Sequence, residues 1–255
     1  PYALPEPARI EITFNGQPVI GGYGIFVEFG TKAVGVFNEI VSSIAASLNT
    51  TLAAKGPVPN KEQHQLIITG TAIGSFGFVL EERSTNQLPL AEKSPISIAL
   101  TKTLNLLNAT LSSDEDLAET VSEIDNRAID KVRSFLEIMD ENNAICSMKF
   151  EEQNIKFKNT QEIQDSLLRL SSDNFSEEEI ILRGEFHGYL PKSRTLEFLL
   201  YSSNEVIRCK IAPTVKDAER INLHLNSNIE IKVTKKVIGT GRPRYIMTET
   251  PNLES

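Results

Sequence analysis

The sequence has no tryptophan, only two cysteines and only three histidines. The cysteines, Cys146 and Cys209, lie far apart in the chain, and Cys209 alternates with Ile207 and Ile211 as a small buried residue would. Two isolated cysteines exclude a disulfide scaffold and favour the reducing cytoplasm. The histidines are not spaced with one another or with a cysteine as metal ligands are. We therefore predict no metal site and no cofactor.

An uninterrupted apolar run of about 18 residues, which a membrane-spanning helix requires, is also absent. The glycines Gly70, Gly74 and Gly77 match neither the Walker pattern nor the dinucleotide-binding fingerprint. Ser75, which lies among them, lacks the spacing of a nucleophile elbow. The sequence thus lacks the usual signatures of nucleotide-binding and hydrolytic enzymes. We predict a protein without enzymatic activity and without a membrane partner.

Charge is distributed unevenly along the chain, whose net charge is −8. Residues 180–248 contain twelve Lys and Arg against six Asp and Glu. Residues 1–179 contain fourteen Lys and Arg against twenty-six Asp and Glu. This contrast predicts an acidic body that is followed by a basic C-terminal unit, and a basic surface attracts anionic partners.

The first part of the chain mixes strand and helix patterns. Arg9 to Phe14 alternates apolar with polar residues, which predicts a strand. Thr31 to Thr50 has apolar residues three and four positions apart, which predicts a helix with Thr31 as its N-cap. Ser94-Pro95 and the acidic stretch 113–116 predict two further helix starts. We expect residues 1–173 to form an acidic α+β domain with a small antiparallel sheet and several helices.

The remaining residues, 174–255, show a period of two. Four alternating apolar sets are followed by a fifth short strand that begins near Tyr245, and a short helix is inserted after the third set. Five short strands and one helix within about 70 residues predict a small closed β-barrel of the OB or SH3-like kind. Closure removes the unpaired strand edges that so small a sheet could not otherwise protect.

The segments that carry this pattern are RGEFHGYLPKSRTLEFLL, VIRCKI, IEIKV and GTGRPRYIM. Together they resemble the C-terminal small-barrel units of poorly characterised bacterial proteins, some of which are associated with mobile elements and antiphage defence. The resemblance implies a bacterial or phage setting and a binding module, and it implies no catalytic residue. The N-terminal region resembles no specific family.

Basic side chains of the predicted barrel form the candidate binding surface. Lys and Arg neutralise phosphates, and an exposed aromatic side chain, for which Tyr189 is the candidate, can stack on a base. The candidates are Arg183, Tyr189, Lys192, Arg194, Arg208, Lys210, Lys232, Lys235, Lys236, Arg242 and Arg244. We predict a protein partner for this accessory protein, and a nucleic acid is the alternative. The sequence leaves the oligomeric state open.

A second alternative is a magnesium-dependent nuclease. Asp217 lies thirteen residues before Glu230, and Lys232 follows on the same predicted strand. In such nucleases carboxylates hold Mg²⁺ and a lysine steadies the attacking water. However, Asp217 begins a predicted helix, where an acidic residue is favoured in any case, and alternating Glu and Lys is usual on a solvated strand.

The stretch VIGTGRPRYIM, residues 237–247, lies between the last two predicted strands. A turn accounts for its glycines, and no helix follows that could hold a phosphate. Turn geometry does not require Arg242 and Arg244. Either these two arginines form the docking point for the partner, in which case reversing both charges should abolish binding, or the stretch is only a hairpin and the change should have little effect.

Overall fold

The structure is a computed structural model, and it describes residues 6–50, 52–53, 55–72, 75–83 and 93–251; Gly74 lies outside them. The helices are α1 (Val27–Ser47), α2 (Pro95–Thr110), α3 (Asp114–Ser122), α4 (Asn126–Glu141) and α5 (Thr160–Arg169). The strands are β1 (Arg9–Gly16), β2 (Val19–Ile20), β3 (Gly24–Ile25), β4 (Leu66–Ala72), β5 (Phe76–Glu82), β6 (Ala144–Phe150), β7 (Gln153–Lys156), β8 (Phe175–Leu190), β9 (Thr195–Leu200), β10 (Glu205–Ile211), β11 (Asn228–Ile238) and β12 (Arg244–Met247). Two 3₁₀ helices span Lys61–His64 and Ala218–Leu223.

The chain divides into two compact units. The first consists of Pro1–Ser113 and Ile124–Ser171, and the second of Asp114–Glu123 and Ser172–Ser255. The predicted α+β class is confirmed, because helices accompany a five-stranded sheet and a closed five-stranded barrel. The second unit takes its short segment, which contains α3, from the middle of the chain. Sequence patterns do not indicate that this segment belongs to the second unit.

The first unit is built on an antiparallel sheet with the strand order β4-β5-β1-β6-β7. On β1, Ile10, Ile12 and Phe14 are fully buried. The alternate residue Arg9 lies on the other face, where its guanidinium is 3.6 Å from the carboxylate of Glu81. One face of the sheet is therefore covered by the core and the other is solvated, as is common for antiparallel sheets.

Two predicted helix starts have different outcomes. The prediction at Ser94 is confirmed, because its side chain accepts a hydrogen bond of 3.0 Å from a backbone N–H in the first turn of α2. The prediction that Thr31 caps α1 is wrong, because α1 already begins at Val27. The hydroxyl of Thr31 donates to the Val27 carbonyl oxygen within the helix, at 2.7 Å. The added turn includes Phe29, whose ring packs edge-on against Phe14, so tertiary packing extends the helix beyond its local signal.

The second unit contains the predicted closed barrel, with the strand order β10-β12-β11-β8-β9. If β8 to β12 are numbered one to five, their order around the barrel is 1-2-3-5-4. The third strand, β10, and the fifth strand, β12, run parallel. The 3₁₀ helix Ala218–Leu223 lies between the third and fourth strands. This connectivity is of the OB type. The barrel interior is filled by apolar side chains, among them Phe186 and Phe198, whose ring centroids are 5.6 Å apart.

A β-bulge interrupts the alternation along β8. Phe186 pairs with Phe198 of β9, but the next pair in register is Gly188 with Glu197. His187 is therefore the additional residue on β8, and the strand bends there. Beyond the bulge, the alternation between side chains that face the barrel interior and side chains that face outward is shifted by one position.

Helix α3 belongs to the barrel unit and packs against β11 and β12. Its apolar residues Leu117, Ala118 and Val121 are buried. Its first turn is acidic, with Asp114, Glu115 and Asp116, as the positive end of the helix dipole favours. The helix therefore places an apolar side against the barrel and carries carboxylates to the barrel surface.

Candidate functional site

Carboxylates of α3, and of Glu123 directly after it, pair with two of the predicted binding residues. The Arg244 guanidinium lies 3.3 Å from Glu115 and 3.5 Å from Glu119. The Lys210 ammonium lies 2.8 Å from Glu123 and 3.8 Å from Glu119. The structure thus brings Arg244 and Lys210 together around one helix, where their charge is compensated within the unit.

The outer surface of β8 and β11 carries a second set of ion pairs. Arg183 pairs with Glu230 at 2.5 Å, and these two residues are directly opposite in the strand register. Lys232 lies 3.3 Å from Glu179 and 3.7 Å from Glu249. The hydrogen bond to Glu179 and the charge of that carboxylate raise the pKa of Lys232. These ion pairs compensate the charge of both basic residues on the strand surface.

Lys236 is buried, although the sequence predicted it to lie on the binding surface of the barrel. Its ammonium is 3.5 Å from the Glu177 carboxylate and 5.8 Å from the centre of the Phe175 ring. An ammonium group can be buried at low cost only when it is paired in this way. Lys236 therefore stabilises the barrel and is not accessible to a partner, which corrects the prediction for this residue.

Arg194 is also occupied within the barrel. Its guanidinium donates to the backbone carbonyl oxygens of Ile211, Ala212 and Val215, at 3.3, 2.7 and 2.8 Å. These bonds tie the turn before β9 to the loop that follows β10. The arrangement gives Arg194 a structural role that the sequence did not indicate.

We expect Arg194→Ala to lower the free energy of unfolding of the barrel by about 1–3 kcal/mol, because it removes three hydrogen bonds from a charged donor to part-buried backbone carbonyl oxygens. Urea denaturation followed by circular dichroism measures this change. The matched control is Lys192→Ala in the same turn, where the side chain is exposed and bonds to no other described residue. Equal stabilities for the two variants would contradict a structural role for Arg194.

Tyr189 is not available for base stacking. Only 5% of its surface is exposed, and it belongs to the barrel core. The shift in alternation at the β-bulge turns Tyr189 inward, on the same side as Phe186. The prediction of an exposed aromatic on this strand is therefore wrong, because a strict period of two does not hold across a bulge.

The remaining candidates are scattered. Arg208 pairs across the strands with Glu197 at 3.4 Å. Among the described residues, Lys192, Lys235 and Arg242 have no carboxylate within ion-pair distance. Arg242 is exposed in the turn that begins at Gly239, whose φ of 53° is a left-handed conformation that favours glycine. The predicted docking pair is thus divided, because Arg242 is exposed whereas Arg244 is bound to α3.

The net charge of the barrel unit follows from its composition. Asp114–Glu123 and Ser172–Ser255 together contain twelve Lys and Arg and seventeen Asp and Glu, which gives −5. The first unit contains fourteen Lys and Arg and seventeen Asp and Glu, which gives −3. The basic stretch seen in the sequence therefore lies in a unit that is acidic, because α3 adds four acidic residues and residues 172–179 add another four.

The groups of the predicted nuclease pattern lie on different elements of the barrel unit. Asp217 precedes the 3₁₀ helix with a φ of 57°, whereas Glu230 and Lys232 have their ion pairs on the barrel surface. Burial raises the pKa of Cys146 and of Cys209 to about 12, so both thiols are protonated at neutral pH. Within the described residues, no group of three or more His, Cys, Asp and Glu side chains is placed to hold a metal ion.

An exposed apolar surface in the first unit has no counterpart in the sequence predictions. The side chains of Ile20, Tyr23, Phe26 and Val27, which we call the hairpin patch, lie on the β2–β3 hairpin and the start of α1. Tyr23 is 80% exposed and Val27 is 77% exposed. The signal that could have revealed this patch is the absence of any charged residue from positions 17–27.

No protein-family model matches the chain. No curated protein matches it at a significant level. Among the described residues, no helix has the length and apolar character that are needed to cross a membrane.

Proposed function

We propose that this protein is a non-enzymatic accessory protein that binds a partner protein, and that the hairpin patch is its docking surface. The observation that carries the proposal is the exposure of Tyr23 and Phe26 at a β-hairpin and the adjoining helix start. Aromatic side chains supply a large part of the binding energy at protein interfaces. A single exposed apolar side chain is common on protein surfaces and needs no explanation. A cluster of four exposed apolar side chains is typical of a contact surface.

The chemistry of the patch indicates the kind of partner. Residues 17–27 contain no charged side chain, so the surface offers shape and apolar area and little electrostatic attraction. A turn at Gly21, Gly22 and Tyr23 joins the two short strands. Its exposed tyrosine fits an apolar pocket on the partner that also supplies an acceptor for the phenol.

The barrel supports this function less directly than the sequence predicted. Most of its candidate basic residues are paired with carboxylates of the same unit, and the unit carries a net charge of −5. Binding of nucleic acid is driven by uncompensated positive charge, so these pairs disfavour that alternative. Among the candidate residues, Lys192 and Arg242 are exposed and have no carboxylate of a described residue within ion-pair distance, so they would serve it. The bacterial or phage setting, the role in antiphage defence and the cytoplasmic location stay predictions.

Site-specific photo-crosslinking in the cells that naturally contain the protein tests the proposal. We expect a photoreactive phenylalanine at position 23 to capture one specific protein, which mass spectrometry identifies. The same group at Leu168, which is 67% exposed on α5, is the matched control and should not capture that protein. The double variant Tyr23→Ala/Phe26→Ala should weaken binding of the purified partner by about tenfold or more.

Two results would contradict the proposed function. One is the absence of a crosslink that is specific to position 23. The other is tight binding of nucleic acid that weakens steeply as salt is added and that is lost in Lys192→Glu/Arg242→Glu. That second result would favour the alternative function.

A further inference from the structure

Asn15 and Gly16 end strand β1 at the surface of the first unit, and they form the only Asn-Gly pair in the sequence. Both residues are exposed, whereas Phe14 before them is fully buried. An asparagine that precedes a glycine can lose its side-chain amide, because the backbone nitrogen of glycine approaches the asparagine side chain without hindrance from a side chain of its own. The pair is therefore a candidate site of chemical modification.

The backbone N–H of Gly16 points away from the neighbouring strand β6. Gln17 donates its backbone N–H to the Asn143 carbonyl oxygen at 3.3 Å, so these two residues form a hydrogen-bonded pair. In an antiparallel ladder such pairs alternate with pairs that exchange no hydrogen bond. Gly16 lies one position earlier, opposite Ala144, and therefore belongs to a pair of the second kind. Its N–H is directed to the side of β1 on which β5 lies.

On that side the pairing with β5 ends before Gly16 is reached. In the described part of the chain, the last pair in register is Phe14 with Phe76. The Gly16 N–H donates instead to the side-chain oxygen of Asn15, at 2.8 Å. This bond holds the side-chain carbonyl group of Asn15 against the backbone nitrogen of the next residue, and a reaction between two groups requires such an approach. The nitrogen is thus outside the strand ladder and next to the group that it would attack.

We propose that Asn15 is a modification site at which the folded chain converts asparagine into aspartate and isoaspartate without an enzyme. The Gly16 nitrogen loses its proton to hydroxide and attacks the side-chain carbonyl carbon of Asn15. The new carbon–nitrogen bond closes a five-membered imide ring. The bond from the same carbon to the side-chain nitrogen breaks, and this nitrogen takes a proton from water and leaves as ammonia. Water then opens the ring at either carbonyl carbon, so the net reaction consumes water and releases ammonia.

The isoaspartate product changes the backbone at the end of β1. Its chain runs through the former side chain, so an additional carbon atom lies in the backbone between positions 15 and 16. Gly16 has no room to move toward β6, because even a Cβ atom on it would overlap the Asn143 carbonyl oxygen. We therefore expect the longer backbone to break the hydrogen bond from Gln17 to Asn143. The aspartate product adds a negative charge and leaves the path of the backbone unchanged.

Peptide mapping by mass spectrometry of the full chain, incubated for days at neutral and at mildly alkaline pH, tests the proposal. The same chain unfolded in guanidinium chloride gives the rate that the Asn-Gly pair has without a fold. We expect the folded chain to convert Asn15 at no less than about one tenth of that rate, because the Gly16 nitrogen is already placed for attack. The rate should rise in proportion to the hydroxide concentration. The matched control is Asn15→Gln, which has the same amide one methylene further from the backbone and should not be converted.

Hydrogen exchange of the converted protein measures the effect on β1. The Gln17 amide should exchange faster in protein that contains isoaspartate, and Asn15→Asp should leave its exchange unchanged. The proposal is overturned if Asn15 persists in the folded chain while the unfolded chain loses its amide, or if the rate of conversion does not depend on pH. Neither measurement requires the partner protein, so a failure here is distinguishable from a failure of the proposed function.

Discussion

Replacing Gly184 by alanine is expected to disrupt the barrel, with a loss of about 3 kcal/mol or more in its free energy of unfolding. Gly184 lies in β8 between β9 and β11, opposite Leu200 and Ile229. A Cβ atom at this position would lie 1.9 Å from the carbonyl oxygen of Leu199 and 2.8 Å from the Phe198 ring. The first of these is a backbone atom of the neighbouring strand, so the two strands would have to separate. Urea denaturation followed by circular dichroism, and hydrogen exchange of β8 and β9, measure the effect.

The same strand supplies the control for this experiment. A Cβ atom at Gly188 would have no atom within 4 Å, and its backbone is not left-handed. Gly188→Ala should therefore change the stability by less than about 1 kcal/mol. If both alanine variants were equally stable, the close approach of β8 and β9 at Gly184 would be refuted.

Truncation of Leu117 to alanine is expected to destabilise the barrel by about 2–5 kcal/mol, although Leu117 lies more than fifty residues before the first barrel strand. Leu117 is fully buried, and α3 packs against β11 and β12. The truncation removes buried apolar area and leaves a cavity that the barrel strands can fill only in part. Hydrogen exchange should become faster in residues 228–247, which include both strands.

The control for this variant is Leu111→Ala, a few residues earlier in the chain. Leu111 is partly exposed and belongs to the first unit, so its truncation should have a small effect on stability and no effect on β11 and β12. Unchanged exchange of β11 and β12 in Leu117→Ala would show that α3 does not stabilise the barrel.

The sequence predicted those features that depend on neighbouring residues in the chain. The period of two in residues 180–233 indicated the barrel strands, because alternating side chains face the core and the solvent. Ser94 followed by Pro95 indicated the start of α2, since the cap acts within a single turn. The start of α1 was placed too late, because the contact of Phe29 with Phe14 is not local.

The candidate site was predicted less well, because its members were judged by residue type alone. The sequence shows that Lys210 and Arg244 are basic, but it does not show whether their charges are already compensated. Both are paired with carboxylates in or next to α3, which lie about 90 to 130 positions earlier in the chain. Tyr189 was assigned to the outer face by strict alternation, and the bulge at His187 reverses it. The hairpin patch was missed because exposure of an apolar side chain is a property of the folded chain.

By itself, then, the sequence determined the α+β class, the strands of a small closed barrel and the absence of common catalytic signatures. These properties follow from periodicity, turn residues and composition, which act over a few residues. Only the tertiary structure decided which basic side chains are neutralised, that α3 belongs to the barrel unit, and that the hairpin patch is exposed. Those properties depend on contacts between residues far apart in the chain, for which a single sequence contains no local signal.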